Sequence, residues 1–242
     1  METYEEKIDR FRTMIAESNN MVFFGGAGVS TESGIPDFRS VDGLYHMQYD
    51  YPPETILSHT FYRQNTEEFY RFYKDKMLFL DAKPNAAHKK LAEWEEQGKL
   101  KAVITQNIDG LHQAAGNKVV WELHGSVLRN YCEDCKTFYD VNYVKGAEGV
   151  PVCAKCGGIV KPDVVLYEEG LDDTTIRESV QAIRNADLLI IGGTSLAVYP
   201  AAGLIDYFSG KYLVLINKAP TPRDNMADLV IQGSIGEVFS AV

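Results

Sequence analysis

The stretch MVFFGGAGVSTESG, Met21 to Gly34, decides the fold. Met21 to Phe24 are apolar without a break, and Gly25, Gly26 and Gly28 crowd the turn behind them. A continuous apolar run that stops at glycine is expected of a strand buried on both faces, as in a parallel sheet. DLLIIGGTS (187–195) repeats the arrangement, and KAVITQN (101–107), KVVWELHG (118–125), YLVLIN (212–217) and ADLVIQG (227–233) supply further strands. Helical segments lie between them. Glu2 to Ser18 sets Tyr4, Ile8, Phe11, Met14 and Ile15 at helical spacing, and PNAAHKKLAEWEEQGK (84–99) opens on Pro84 and stops at Gly98. A further helix is expected at Thr174 to Asn185, and another opening at Pro200-Ala201-Ala202. FYRQNTEEFYRFYKDKM (61–77) reads as one helical segment in a stretch crowded with aromatics. Strands alternating with helices predict an α/β fold, a parallel sheet with helices on both faces.

Length and charge narrow the class. The chain has 242 residues, 45% of them hydrophobic, enough for one sizeable domain or a large domain with a small insert. Its formal charge of −10 argues against a nucleic-acid binder, which needs a basic face to displace counterions. No apolar run approaches membrane-spanning length. The opening METYEEKIDRFRTM is too charged for a secretory signal, so a cytoplasmic protein is expected.

All four cysteines fall in two C-x-x-C turns, Cys132/Cys135 and Cys153/Cys156, with 17 residues between the pairs. Each turn can aim two thiolates at one ion, and two turns make the tetrahedral set that zinc prefers. Two disulfides are the weaker alternative in a chain expected to stay in a reducing compartment. Four protein ligands leave no open position, so the zinc is expected to be structural.

The glycine turn Gly26-Ala27-Gly28-Val29-Ser30-Thr31 has Thr31 where a dinucleotide fingerprint carries its third glycine. No ribose-binding carboxylate on a second strand follows it, which disfavours an ordinary dehydrogenase. The second turn sets Thr194 and Ser195 beside Gly192 and Gly193, and its amides with a following helix dipole suit an anion. Two such turns at strand ends point to a ligand in the crevice between them. TQNIDGLH (105–112) brings Gln106, Asn107 and Asp109 to a third strand end; Asp109 alone could be a helix cap. His124 precedes Gly125 directly ahead of the cysteines, while His46 and His59 fall in the aromatic stretch and His88 on an exposed-looking helix.

GAGVSTESGIPDFR, TQNID, LHG, the paired C-x-x-C turns, GTSLAVYP and LIN together resemble the sirtuins, NAD-dependent protein lysine deacylases, from the first helix to the last strand. The resemblance implies a Rossmann-like NAD-binding domain over 1–42, 81–128 and 162–242. It implies a small helical and zinc-ribbon domain over 43–80 and 129–161. It implies that Gly26, Ala27, Gly28, Thr31, Phe38 and Arg39, with Tyr45 beyond, form the loop over the cofactor. Gln106 and Asn107 would meet the ribose, and Ile108 and Asp109 the nicotinamide carboxamide. Gly193, Thr194, Ser195, Asn217, Lys218 and Ile235 would hold the adenosine end, and Val164, Val165 and Tyr167 the acyl-lysine peptide. His124 would be the general base, with Asn107 helping to order ribose and water.

The implied activity is removal of acetyl or another neutral acyl group from lysine, giving nicotinamide and O-acetyl-ADP-ribose. A mono-ADP-ribosyltransferase on the same pocket and a non-enzymatic zinc-ribbon adaptor are the alternatives. The expected partner is an acetyl-lysine protein or peptide met by a monomer, with neither membrane nor nucleic acid. Two departures stand out. Sirtuins usually carry Phe-Gly-Glu where this chain has Tyr167-Glu168-Glu169, which puts the groove backbone in doubt and adds a carboxylate favouring basic substrates. Those preferring succinyl groups carry Tyr and Arg where this chain has Tyr70 and Tyr73, so a charged acyl group is expected to be disfavoured.

Overall fold

The computed structural model describes residues 2–37 and 51–242. In chain order it has helix α1 (Tyr4–Glu17), strand β1 (Met21–Gly25), three short helices α2 (Pro53–Ile56), α3 (His59–Gln64) and α4 (Thr66–Lys76), and α5 (Ala86–Glu96). Then come β2 (Leu100–Thr105), α6 (Leu111–Ala115), β3 (Val120–Glu122), β4 (Gly125–Cys132), β5 (Phe138–Asp140), α7 (Val141–Gly146) and β6 (Val160–Val164). The chain closes with α8 (Asp173–Asn185), β7 (Leu188–Gly192), β8 (Tyr212–Asn217), β9 (Leu229–Gln232) and α9 (Ile235–Ser240).

Six of these strands form one parallel sheet in the order β3-β2-β1-β7-β8-β9. Its central strands show why alternation was invisible in the sequence. Met21 and Phe23 pack with Ile8, Phe11, Leu91, Trp94 and Phe239 on one face, while Val22 and Phe24 pack with Ile183, Ala201, Leu204 and Ile205 on the other. Period two is present, but both faces are apolar because helices cover both. The outer helices carry their own start signals. Thr3 and Glu6 form a reciprocal capping box ahead of α1, and Asn85, rather than Pro84, is the N-cap of α5.

A second sheet, β5-β4-β6, is antiparallel and carries the cysteines. It shares an aromatic core with the short helices: Phe61, Tyr62, Phe69, Tyr70, Phe72 and Tyr73 pack with Val127, Val144 and Val160.

Three expectations are corrected. The segment 61–77 is not one helix: Asn65, at φ −134° and ψ 52°, ends α3 and begins α4. The segment after Pro200 is a 3-10 helix, Ala201–Tyr207, rather than an α-helix. His88 is buried, not exposed; its ring lies 4.7 Å from that of His112, and burial lowers the pKa of both.

Candidate active site

Strand order places the site. β1 is flanked by β2 and β7, so the chain builds outward in opposite directions on either side of the β1–β7 pair. Above the carboxyl ends of two such strands the connections diverge and leave a crevice. Both glycine turns occupy this point, since Gly25 pairs with Gly192. They interlock: Gly26 N–H donates to the Gly192 carbonyl at 3.3 Å and Gly28 N–H to that of Gly193 at 2.7 Å. Gly193 has φ +60°, and a Cβ there would stand 2.4 Å from the Val29 nitrogen. Neither turn runs straight into an α-helix. The first continues as two 3-10 turns, Ala27–Val29 and Thr31–Ser33, so an anion here would meet backbone amides without an α-helix dipole behind them.

Neighbouring strand ends add side chains. Gln106 Nε2 donates to Thr194 Oγ1 at 3.0 Å, and Asn217 Nδ2 donates to the Thr194 carbonyl at 2.7 Å. Ser30, which the sequence reading passed over, ties the first turn to the third strand end. Its hydroxyl donates to Asp109 Oδ2 at 2.6 Å and accepts from Asn107 Nδ2 at 3.0 Å. Asp109 Oδ1 accepts the Leu111 N–H at the start of α6, whose N-cap is Gly110, so this carboxylate steadies the loop into the helix while lining the crevice. Burial raises its pKa, against the lowering effect of these two bonds.

His124 sits between β3 and β4, half-buried, with Nδ1 3.0 Å from the Gln106 carbonyl. A carbonyl can only accept, so Nδ1 carries the proton and Nε2 is left as the basic nitrogen. Burial lowers the pKa below the ordinary histidine value, partly offset by that bond, so the ring is neutral at neutral pH.

These groups line a single cleft of about 1430 Å³. Gly26, Ala27, Gly28, Thr31, Gln106, Asn107, Ile108, Asp109 and His124 line it, with Gly193, Thr194, Ser195, Asn217, Lys218 and Ile235. Val164, Val165 and Tyr167 form part of the same wall. Phe38, Arg39 and Tyr45 lie outside the described residues.

The Sir2 family profile matches residues 26–200, and with them both glycine turns, the TQNID strand end, His124 and all four cysteines. The chain belongs to the Sir2 family. It is 64% identical over 240 residues to an NAD-dependent protein deacetylase of Clostridium acetobutylicum, covering 98% of both chains. Against one from Clostridium perfringens the identity is 62%, covering 98% of this chain and 99% of that one. Among solved structures, a Sir2 protein with a p53 peptide and NAD+ superposes with a TM-score of 0.87 at 41% identity, over 96% of this chain and 95% of that one. Another, with a deacetylated p53 peptide and 3′-O-acetyl-ADP-ribose, superposes with a TM-score of 0.90 at 41% identity, over 97% and 96%.

Away from the cleft, the sirtuin carries a built metal site. The sulfurs of Cys132, Cys135, Cys153 and Cys156 all lie within 4.8 Å of one another. Thiolates at about 2.3 Å from a tetrahedral zinc would stand about 3.8 Å apart, so the set fits that ion. The four ligands come from the end of β4, the turn behind it and the loop before β6, where none of the described cleft residues intrudes, which suits a structural ion.

The two departures from the family pattern resolve differently. Glu168 has φ +75°, the left-handed conformation that glycine favours, so the groove backbone keeps its turn despite the side chain. Its carboxylate accepts the Thr60 N–H at 2.8 Å, while Glu169 pairs with His59 and Lys161. Tyr70 and Tyr73, by contrast, do not line the cleft. Both are fully buried in the aromatic core; the Tyr70 hydroxyl donates to the Val160 carbonyl, and the Tyr73 hydroxyl has no partner among the described residues.

Proposed function

We infer that this sirtuin is an NAD-dependent protein lysine deacetylase, consuming NAD and releasing nicotinamide and O-acetyl-ADP-ribose. The observation that carries the reading is the neutral His124 imidazole held at the carboxyl edge of the sheet, within the same cleft as both interlocked glycine turns. Among the relatives, solved Sir2 proteins hold NAD+ with a p53 peptide, an acetylated peptide, and an O-acetyl-ADP-ribose product.

The resemblance to sirtuins supplies the roles, and every residue named below lines the cleft. The amides and hydroxyls around Gly26, Gly28, Gly193, Thr194 and Ser195 hold the dinucleotide, with Asn217, Lys218 and Ile235 at its adenosine end. Asp109 and Ile108 grip the carboxamide that leaves with nicotinamide, and Asn107 and Gln106 orient the ribose beside it. Bound NAD would supply the sugar carbon to which the acyl oxygen of the substrate bonds as nicotinamide leaves. His124 Nε2 then takes a proton from a ribose hydroxyl, and its Nδ1–H bond to Gln106 keeps the ring in the accepting tautomer. Val164, Val165 and Tyr167 form the wall for an extended acyl-lysine peptide. Zinc, held by the four cysteines, supplies no chemistry; it fixes the second sheet.

We place the protein in the cytoplasm, acting as a monomer. Incubation with NAD labelled in its adenosine and an acetyl-lysine peptide tests the reading. Label is expected in soluble O-acetyl-ADP-ribose, with unmodified lysine returned; label retained on protein would replace deacetylation with ADP-ribosyl transfer.

A further inference from the structure

We propose that two hydroxyls outside the cysteine set, those of Tyr139 and Thr137, hold the zinc in place, each by donating to one thiolate of one knuckle. The inference rests on zinc at the four cysteines and concerns how this chain retains it.

Tyr139 lies on β5, and its hydroxyl stands 3.1 Å from Cys153 Sγ. Thr137 Oγ1 stands 3.1 Å from Cys135 Sγ. A cysteine bound to zinc is a thiolate with no proton to give, so in both contacts the oxygen donates. Tyr139 has a second link to the same knuckle: its oxygen accepts the Ala154 N–H at 2.9 Å. The phenol therefore fixes both the sulfur and the backbone beside it. Strand pairing fixes the phenol in turn, because Tyr139 sits opposite Asn130 of β4, whose amide Nδ2 donates to the Tyr139 carbonyl at 3.4 Å.

The need for donors follows from charge. Four thiolates on a divalent cation leave a net charge of about −2, and hydrogen bonds to the sulfurs offset it. A thiolate without its donor is more basic and leaves the metal more readily. The two knuckles are served evenly, one hydroxyl to each.

A built-in control separates an effect on sulfur from one on shape. Tyr143 packs against Tyr139 with the rings tilted by 33° and 4.2 Å between centroids, and its hydroxyl donates to the Val152 carbonyl at 2.6 Å. It steadies the same loop without touching a ligand.

The test follows zinc leaving the folded protein to a colorimetric chelator at neutral pH. Tyr139→Phe and Thr137→Val are each expected to speed loss about 10-fold, and Tyr143→Phe to leave the rate within a factor of about 2 of wild type. With cobalt in place of zinc, the thiolate-to-metal charge-transfer band is expected to move to longer wavelength in the first two variants only. Thr137→Val carries the test if Tyr139→Phe does not fold. Wild-type rates in both donor variants, or equal acceleration in Tyr143→Phe, would overturn the proposal. Wild-type protein that contains no zinc would instead remove the metal itself, whatever the deacetylase assay shows.

Discussion

The two sheets of this sirtuin are stabilised by different means. The six-stranded parallel sheet is covered on both faces by apolar clusters, with Phe11, Phe23, Trp94 and Phe239 among the buried side chains on one side and Phe24, Ile104, Leu189 and Ile191 on the other. The three-stranded antiparallel sheet has one aromatic cluster behind it and strands as short as Phe138–Asp140. A small sheet buries too little surface to stand alone, and there the four-cysteine site takes over. Chemistry follows the same division. The reacting groups gather at strand ends of the sheet that needs no metal, so the metal and the base can be removed separately, with different consequences.

The largest effect is expected from taking away the metal. Zinc contributes on the order of 10 kcal/mol in small zinc-dependent folds. Stripping it, or replacing Cys153 with Ser, is expected to unfold 129–161 and abolish deacetylation while the parallel sheet persists. Amide hydrogen exchange checks this: protection should vanish in β4, β5 and β6 and survive in β1, β7 and β8. Loss of protection in both sheets together would merge the two regions into one cooperative unit.

His124→Ala reverses the pattern. It is expected to lower kcat by about 10²- to 10⁴-fold, the usual worth of a general base, with zinc content and melting temperature unchanged. Wild-type activity should also fall as acid protonates the ring. Because burial lowers the His124 pKa, the acid limb of kcat/KM is expected below the ordinary value of about 6.5. A limb above that value, or one that persists in the variant, would assign it to another group. Gly193→Ala comes next. Its new Cβ would stand 2.4 Å from the Val29 nitrogen and force the two turns apart. A loss of about 1–3 kcal/mol in urea unfolding is expected, with a raised KM for NAD.

Legibility in the sequence divides along the same line. Buried parallel strands advertise themselves as apolar runs ending in glycine, and paired C-x-x-C turns advertise a metal. Ser30 did not, because a serine in a glycine-rich turn looks like turn chemistry until a strand 77 positions away brings Asn107 to it. His88 was misread because its polarity suggests solvent, whereas the face it shares with Ala87 and Leu91 packs inward. The break at Asn65 had a signal, an Asn followed by Thr66-Glu67-Glu68, but the aromatics on either side masked it as one helix.

The smallest effect tests the aromatic core itself. Tyr73, matched by the family resemblance to the Arg expected of succinyl-preferring sirtuins, is fully buried away from the cleft, and its hydroxyl lacks a partner among the described residues. A buried hydroxyl with nothing to bond opposes folding, so Tyr73→Phe is expected to stabilise the protein by up to about 1 kcal/mol. The ring stays stacked on Phe69, whose centroid is 5.6 Å away, so its packing is kept. The ratio of acetyl to succinyl turnover should not move, because the hydroxyl never faces the acyl group. Destabilisation would mean that the hydroxyl is bonded after all, and a changed acyl ratio would bring α4 back into the wall of the cleft.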